Sequence, residues 1–131
     1  MLGDAACEAE LVRALIVDDN ASFLRASSSL LERQGLSVVG TATNGAEASE
    51  QAQRLSPDVI LVDIDLGQES GFMLATRLTE QPPPGSPPRV ILISTHAQDE
   101  FADLIAASPA LGFIPKSRLS MSAIRELLDQ G

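Results

Sequence analysis

The chain has 131 residues, of which 44% are hydrophobic, so one domain with one packed core is expected rather than a disordered chain. Its net charge of −9 argues against direct nucleic-acid binding, because phosphate backbones are bound by clustered Lys and Arg. A single cysteine excludes an internal disulfide, and a single histidine excludes a His-rich metal site. No apolar run reaches the length of a membrane span, and residues 1–13 lack a signal-peptide core, which favours a cytoplasmic protein without membrane contact.

The first half of the chain predicts alternating strands and helices after a short lead. Residues 1–10 are predicted to be disordered, which leaves residues 11–131 as the folded domain. The hydrophobic periodicity then predicts a strand at 11–17, a helix at 21–34, an edge strand at 36–42 and a helix from 44 to about 55. The next run, 59–62, is unbroken Val, Ile and Leu and ends at Asp63, which is typical of a central strand buried on both faces.

The second half continues the same alternation. Ser70 is predicted to cap a helix from Gly71 to about residue 81. The proline cluster at 82–88 follows, and we expect a stiff, extended surface loop there. The remaining predicted elements are a strand at 89–93, a helix at 97–107 with Phe101, Leu104 and Ile105 on one face, a strand at 111–115 and a helix at 120–130.

Five strand–helix units at this spacing imply parallel strands joined by right-handed crossovers. The predicted fold is therefore α/β, a flavodoxin-like, doubly wound sheet of five parallel strands in the order 2-1-3-4-5, with helices on both faces. In that order the first and third strands are neighbours. Ligands of such sheets bind at the carboxyl ends of the strands, where the strand order reverses.

Polar side chains follow the predicted strands at that same edge. Asp18 and Asp19 follow the first strand, Asp63 ends the third, Ser94 follows the fourth, and Lys116 follows the fifth. Adjacent carboxylates repel each other and require a compensating positive charge. The sequence therefore predicts one pocket that gathers three acids, a hydroxyl and an ammonium group.

A hard divalent cation with oxygen ligands is the expected compensator, and Mg²⁺ fits best because it keeps coordination positions open for phosphate oxygens. Asp19 and Asp63 would ligate it through their side chains, and the backbone carbonyl of Asp65 would be a third ligand. Asp18 would act directly or through water. Such a site can recruit a phosphoryl group and neutralise its charge during transfer.

Asp63 is then a candidate nucleophile that forms an acyl phosphate. Lys116 can pair with one phosphoryl oxygen, and Ser94 can donate its hydroxyl hydrogen to another. Each residue alone has an ordinary interpretation, because Asp and Ser commonly cap helices or follow strands and most lysines are solvated. Their occurrence at the same end of consecutive predicted strands favours a shared site.

This set of residues resembles the receiver domain of two-component response regulators. The order and approximate spacing match from about residue 11 to 128, and the matching residues are the pair Asp18–Asp19, the acceptor Asp63 within Val-Asp-Ile-Asp-Leu, Ser94, Phe113 and Lys116. The resemblance implies transfer of a phosphoryl group from a sensor histidine kinase to Asp63 with Mg²⁺. It also implies that phosphorylation moves Ser94 and Phe113 and changes the surface of helix 4, strand 5 and helix 5.

That surface would bind a second copy of the chain, as a homodimer, or a downstream protein. Asp65 and His96 each lie two positions beyond a site residue, Asp63 and Ser94, and in receivers such positions flank the attacking water. We expect them to tune the lifetime of the phosphate. The segments 93–96 and 112–117 are similar to receivers of the nitrate-regulator, LuxR-type subfamily, which precede helix-turn-helix output domains. No basic helical module follows in this sequence, so we expect either a stand-alone receiver, the interpretation we favour, or a piece of a longer chain.

Two other classes share part of this pattern. Val-Asp-Ile-Asp-Leu-Gly resembles the Asp-x-Asp motif of haloacid-dehalogenase-type phosphatases, but in those enzymes the acidic pair follows the lysine, whereas Asp18–Asp19 precede Lys116. A pseudo-receiver would act only as an interaction module, and the intact acidic pair, acceptor and lysine argue against it. A nucleotide-binding function is disfavoured because there is no Gly-rich phosphate loop.

Overall fold

The computed structural model describes residues 12–67, 69–80, 88–95 and 101–130. Within these ranges, strands and helices alternate as the periodicity predicts. The strands of the main sheet are β1 (Arg13–Val17), β2 (Ser37–Ala42), β3 (Val59–Asp63), β4 (Arg89–Ser94) and β5 (Gly112–Pro115). The helices are α1 (Ala21–Arg33), α2 (Gly45–Leu55), α3 (Gly71–Glu80), α4 (Ala102–Ala107) and α5 (Met121–Gln130).

The five strands form one parallel sheet in the order β2-β1-β3-β4-β5, which confirms the predicted 2-1-3-4-5 topology. The register aligns the carboxyl ends of the strands. Val17 of β1 pairs with Val62 of β3, Asp63 pairs with Ile93 of β4, and Ser94 pairs with Pro115 of β5. All residues of β3 are buried, as expected for a central strand, and β2 lies at an edge.

Helices cover both faces of the sheet and divide the core into two apolar layers. One layer lies under α1 and α5 and includes Leu31 and Ile124. The other lies under α2, α3 and α4 and includes Leu74 and Phe113. Because successive side chains of a strand point to opposite faces, each central strand supplies both layers. Apart from Phe113 and Met121, the buried apolar side chains of the described residues are Leu, Ile, Val and Ala, in keeping with an aromatic content of only 3%.

Helix starts are set by short polar side chains. The side chain of Asn20 accepts from the amide of Phe23, that of Asn44 from Glu47, and that of Ser70 from Phe72. These N-caps satisfy amides that have no partner inside the helix. The Ser70 cap confirms the predicted start of α3, and the caps at Asn20 and Asn44 place α1 and α2 directly after the strand ends.

The structure differs from the predicted elements at several places. Residues 65–66 and 69–70 form a small antiparallel hairpin where a loop was expected. Of the helix predicted at 97–107, the described part is α4 from Ala102 to Ala107, and its Leu104 does not pack into the core but is 54% exposed. Predicted segments 1–10 and 97–100, and the proline cluster except Pro88, lie outside the described residues. None of the described helices combines the length and hydropathy that a membrane span requires.

Candidate functional site

The carboxyl ends of β1 and β3 bring three carboxylates together. Asp63 is the last residue of β3, and Asp18 and Asp19 follow β1 directly. One oxygen of each carboxylate lies within 4.8 Å of the others. Asp18 and Asp63 are buried, whereas Asp19 is exposed. The predicted convergence of these acids is therefore present, and it follows from the pairing of β1 with β3.

Lys116 reaches this cluster from the end of β5. Its Nζ lies 2.5 Å from Asp18 Oδ2 and 3.2 Å from Asp63 Oδ2. The Lys116 side chain is only 13% exposed, so the ammonium group has exchanged most of its water for these two carboxylates. Removing Lys116 would leave the two buried carboxylates without their positive partner, which is unfavourable in a buried site.

Local backbone hydrogen bonds fix the two buried carboxylates. Asp18 Oδ1 accepts from the amide of Asn20 at 2.9 Å, and Asp63 Oδ1 accepts from the amide of Asp65 at 3.1 Å. Each acid therefore uses one oxygen to order the turn that follows its strand. The second oxygen of each points to Lys116.

Burial, which is the largest cause, and the negative charge of Asp18 raise the pKa of Asp63 from its ordinary value to about 6. The amide of Asp65 and the ammonium group of Lys116 oppose this rise. For Lys116, burial works against the charged form, but hydrogen bonding and attraction to Asp18 and Asp63 outweigh it, so its pKa is raised above the usual value. The site thus holds a charged lysine beside a carboxylate that is unusually easy to protonate.

The donor chemistry fits a divalent cation. Three carboxylates share the one ammonium group that the described residues place against them, so negative charge exceeds positive charge locally. Hard oxygen donors at this spacing suit Mg²⁺, and the exposure of Asp19 leaves the cluster open to solvent. Asp18, Asp19 and Asp63 are the residues that would hold the ion.

Two further predicted site residues, Ser94 and Phe113, are buried near this cluster. Ser94 ends β4 next to Ile93, the register partner of Asp63, and is buried. Phe113 is buried in β5 and packs into the layer under α2, α3 and α4. The register thus places Ser94 at the site edge and Phe113 three residues before Lys116 on the next strand.

Asp65 begins the hairpin and is exposed at the rim of the site. Its side chain accepts from the amide of Gly67 at 3.2 Å, and Gly67 has φ +76, which glycine adopts without strain. A groove of about 460 Å³ opens beside the hairpin and is lined by Ile64, Asp65, Gly67, Glu69, Ser70, Phe72, Phe101 and Leu104. His96 lies outside the described residues.

Three residues that shape the site were not singled out from the sequence for this purpose. A Cβ on Gly71 would lie 2.1 Å from the carbonyl oxygen of Asp63, so only glycine lets α3 start so close to β3. Glu69 accepts a hydrogen bond from the amide of Gly45 and ties the hairpin to α2. Phe23 of α1 places its ring 4.2 Å from Lys116 Nζ. The helical spacing of Phe23 indicated core packing and gave no signal for this contact.

Comparison with known proteins identifies the class. The family model described as "Response regulator receiver domain" matches residues 14–129, nearly the whole chain. The chain therefore belongs to the receiver domains of two-component response regulators. This confirms the predicted family and favours it over the phosphatase alternative.

Solved structures support the fold. The signal receiver domain of a NarL response regulator from Mycobacterium tuberculosis is 29% identical, with a TM-score of 0.77, and the match covers 92% of this chain and 96% of that one. The response regulator domain of Thermotoga maritima CheB is also 29% identical, with a TM-score of 0.69 and coverage of 92% and 91%. The similarity to NarL-type receivers agrees with the subfamily resemblance of residues 93–96 and 112–117.

Sequence relatives include much longer proteins. A protein-glutamate methylesterase/protein-glutamine glutaminase from Alkalilimnicola ehrlichii is 39% identical over 118 residues, which are 88% of this chain but 29% of that protein. The transcriptional regulatory protein YvfU from Bacillus subtilis is 31% identical over 107 residues, 81% of this chain and 52% of that one. The chain thus spans between about a third and a half of these relatives, and it corresponds to their receiver part.

Proposed function

We propose that this receiver takes a phosphoryl group from the phosphohistidine of a sensor histidine kinase onto Asp63, with Mg²⁺ as cofactor. The observation that carries the proposal is the buried carboxylate of Asp63, in contact with Lys116 and within 4.8 Å of two further carboxylates. Burying several carboxylates around one ammonium group is unfavourable, so an acidic residue with only a structural role would not be expected in such a cluster. A phosphoryl-transfer site requires the cluster because the excess negative charge binds Mg²⁺.

In the proposed reaction, one carboxylate oxygen of Asp63 attacks phosphorus. A new O–P bond forms as the P–N bond of phosphohistidine breaks, and the imidazole leaves with the electron pair of that bond. A pKa of about 6 leaves Asp63 mostly ionised at neutral pH and therefore able to attack. Lys116 is already against Asp63 and would pair with an oxygen of the transferred group. Bound Mg²⁺ would neutralise the charge of the phosphoryl oxygens.

The response to phosphorylation would involve Ser94 and Phe113. Ser94 lies at the site edge and its hydroxyl can donate to a phosphoryl oxygen, while Phe113 is on the neighbouring strand. Movement of these two side chains would change the surface of α4, β5 and α5, which we propose binds a second copy or a downstream protein. Asp65 at the exposed rim and His96 would tune how fast water removes the phosphate.

Intact-mass spectrometry after incubation with Mg²⁺ and acetyl phosphate tests the proposal. We expect one phosphate adduct in the wild type, none in Asp63→Asn, and none when EDTA replaces Mg²⁺. Asp129→Asn, the same change at an exposed residue of α5, is the matched control and should form the adduct at the wild-type rate. The absence of any adduct would instead indicate a phosphorylation-independent interaction module, and steady release of inorganic phosphate without adduct would indicate a phosphatase.

A further inference from the structure

Lys116 has a third partner besides the two carboxylates. Its Nζ lies 4.2 Å from the centroid of the Phe23 ring, over the face of the ring. The negative face of an aromatic ring attracts a cation, most strongly where water is excluded. Because the Lys116 side chain is only 13% exposed, this contact occurs in such a setting.

The position of the Phe23 ring is fixed independently of the lysine. Phe23 lies in the first turn of α1, and its amide donates to the side chain of Asn20, the N-cap of that helix. The half-buried ring packs against the apolar layer under α1 and α5. Asn20 in turn donates its amide to Asp18 Oδ1, so the ring and the acidic pair are held by the same helix start.

The ring contact differs from the carboxylate contacts in one respect. A cation bound by Asp18, Asp19 and Asp63 would compete with Lys116 for their oxygens, since hard divalent cations take oxygen ligands. It would not compete for the face of a benzene ring. Phe23 is therefore the partner that Lys116 can keep when its closest contact, Asp18 Oδ2, is needed elsewhere.

We propose that Phe23 is a positioning residue that holds the ammonium group of Lys116 within reach of the phosphoryl group on Asp63. This inference rests on the proposed phosphoryl transfer. The loss of the ring should slow transfer about 3- to 20-fold, the range that corresponds to a partly desolvated cation–π contact. A purely apolar role for Phe23 would be filled equally well by leucine.

The first test compares Phe23→Leu with Phe23→Tyr in the full chain. Leucine keeps an apolar side chain without the aromatic face, whereas tyrosine keeps the face. With Mg²⁺ and acetyl phosphate, we expect adduct formation to slow about 3- to 20-fold in Phe23→Leu and to stay within about twofold of wild type in Phe23→Tyr. Equal rates for leucine and wild type, or for leucine and tyrosine, would overturn the proposal.

The second test does not depend on phosphorylation. Because Lys116 is the only lysine, lysine labelled with ¹³C at the ε-carbon gives a single ε-methylene signal in NMR spectra. We expect its ε-protons to be shifted upfield by the ring in wild type and Phe23→Tyr but not in Phe23→Leu, with the shift retained when Mg²⁺ is added. Loss of the shift on adding Mg²⁺ would overturn the inference. A wild type that takes no phosphate would overturn the proposed function, and the lysine signal would still report whether the ring holds the ammonium group.

Discussion

Helices α4 and α5 flank the strand that leads to Lys116, yet they are attached to the molecule very differently. Helix α5 has ten residues, buries Ile124 completely, and its first amide donates to the side chain of Gln34 at 2.7 Å. Near its other end, the carbonyl of Leu128 accepts from the guanidinium group of Arg89. Helix α4 has six residues, none of them buried, and its N-cap position makes no side-chain hydrogen bond.

This difference shows where the domain is free to rearrange. Segments with few buried apolar contacts open at low free-energy cost, whereas packed and capped helices open only with the whole fold. A site that changes its charge at the strand ends can therefore shift α4 more cheaply than α5. Within the proposed interaction surface, we expect α5 to keep its position and α4 to move when the site is phosphorylated.

The largest expected effect comes from breaking the anchor of α5. Ile124→Ala removes a fully buried side chain from the layer under α1 and α5 and should lower the free energy of unfolding by about 2–5 kcal/mol. Urea denaturation followed by circular dichroism measures this loss. A loss below about 1 kcal/mol, a typical value for an average substitution, would show that α5 is no better anchored than α4.

The second largest expected effect comes from Asp63→Asn, which changes the charge of the site and leaves the packing of the helices unchanged. The pKa of Asp63 is about 6 in the fold against an ordinary 3.8, because burial disfavours its charged form. Its ionisation thus opposes folding, and Asp63→Asn should raise the free energy of unfolding by about 1–2 kcal/mol at pH 7.5 in EDTA, a value reduced for partial solvent screening.

The sign of the pH dependence follows from the raised pKa. The stabilising contribution of the protonated carboxyl is complete below pH 3.8 and is lost as the pH rises through about 6. The advantage of Asp63→Asn should therefore shrink from pH 7.5 to pH 4.5, while the loss in Ile124→Ala stays the same at both values. If the difference in free energy of unfolding between Asp63→Asn and wild type does not change with pH, the ionised carboxylate of Asp63 is not what destabilises the wild type.

Much of this architecture could be predicted because the signals are local. The central strand 59–62 is an unbroken apolar run, and four of the five strands are followed or ended by a polar site residue. Alternation of strands and helices predicted a parallel sheet, and the common flavodoxin-like strand order then brought Asp18, Asp19 and Asp63 together. Ser70 was predicted as an N-cap because serine directly before a helix commonly accepts a hydrogen bond from an amide of the first turn. These features depend on neighbours in sequence or on the general handedness of the connections.

The hairpin at 65–70 and the contact between Phe23 and Lys116 could not be predicted in the same way. The hairpin has two-residue strands, too short for a periodicity, and depends on Glu69 reaching Gly45 across the chain. Phe23 followed a helical pattern that indicates core packing only, and its distance from Lys116 is 93 residues in sequence. The exposure of Leu104 was missed because a spacing of three residues predicts a shared face but not what covers that face.

The smallest expected effect comes from Leu104, the counterpart of Ile124 on α4. Leucine and isoleucine lose the same atoms on change to alanine, so Leu104→Ala is a matched comparison for Ile124→Ala. Since Leu104 is 54% exposed, the free energy of unfolding should change by no more than about 0.5 kcal/mol, the usual range for surface substitutions. Hydrogen exchange should agree, with the amides of α4 opening at lower free energy than those of α5 in the wild type. A loss above about 2 kcal/mol in Leu104→Ala would mean that Leu104 is packed as a core residue, and the contrast between the two helices would then disappear.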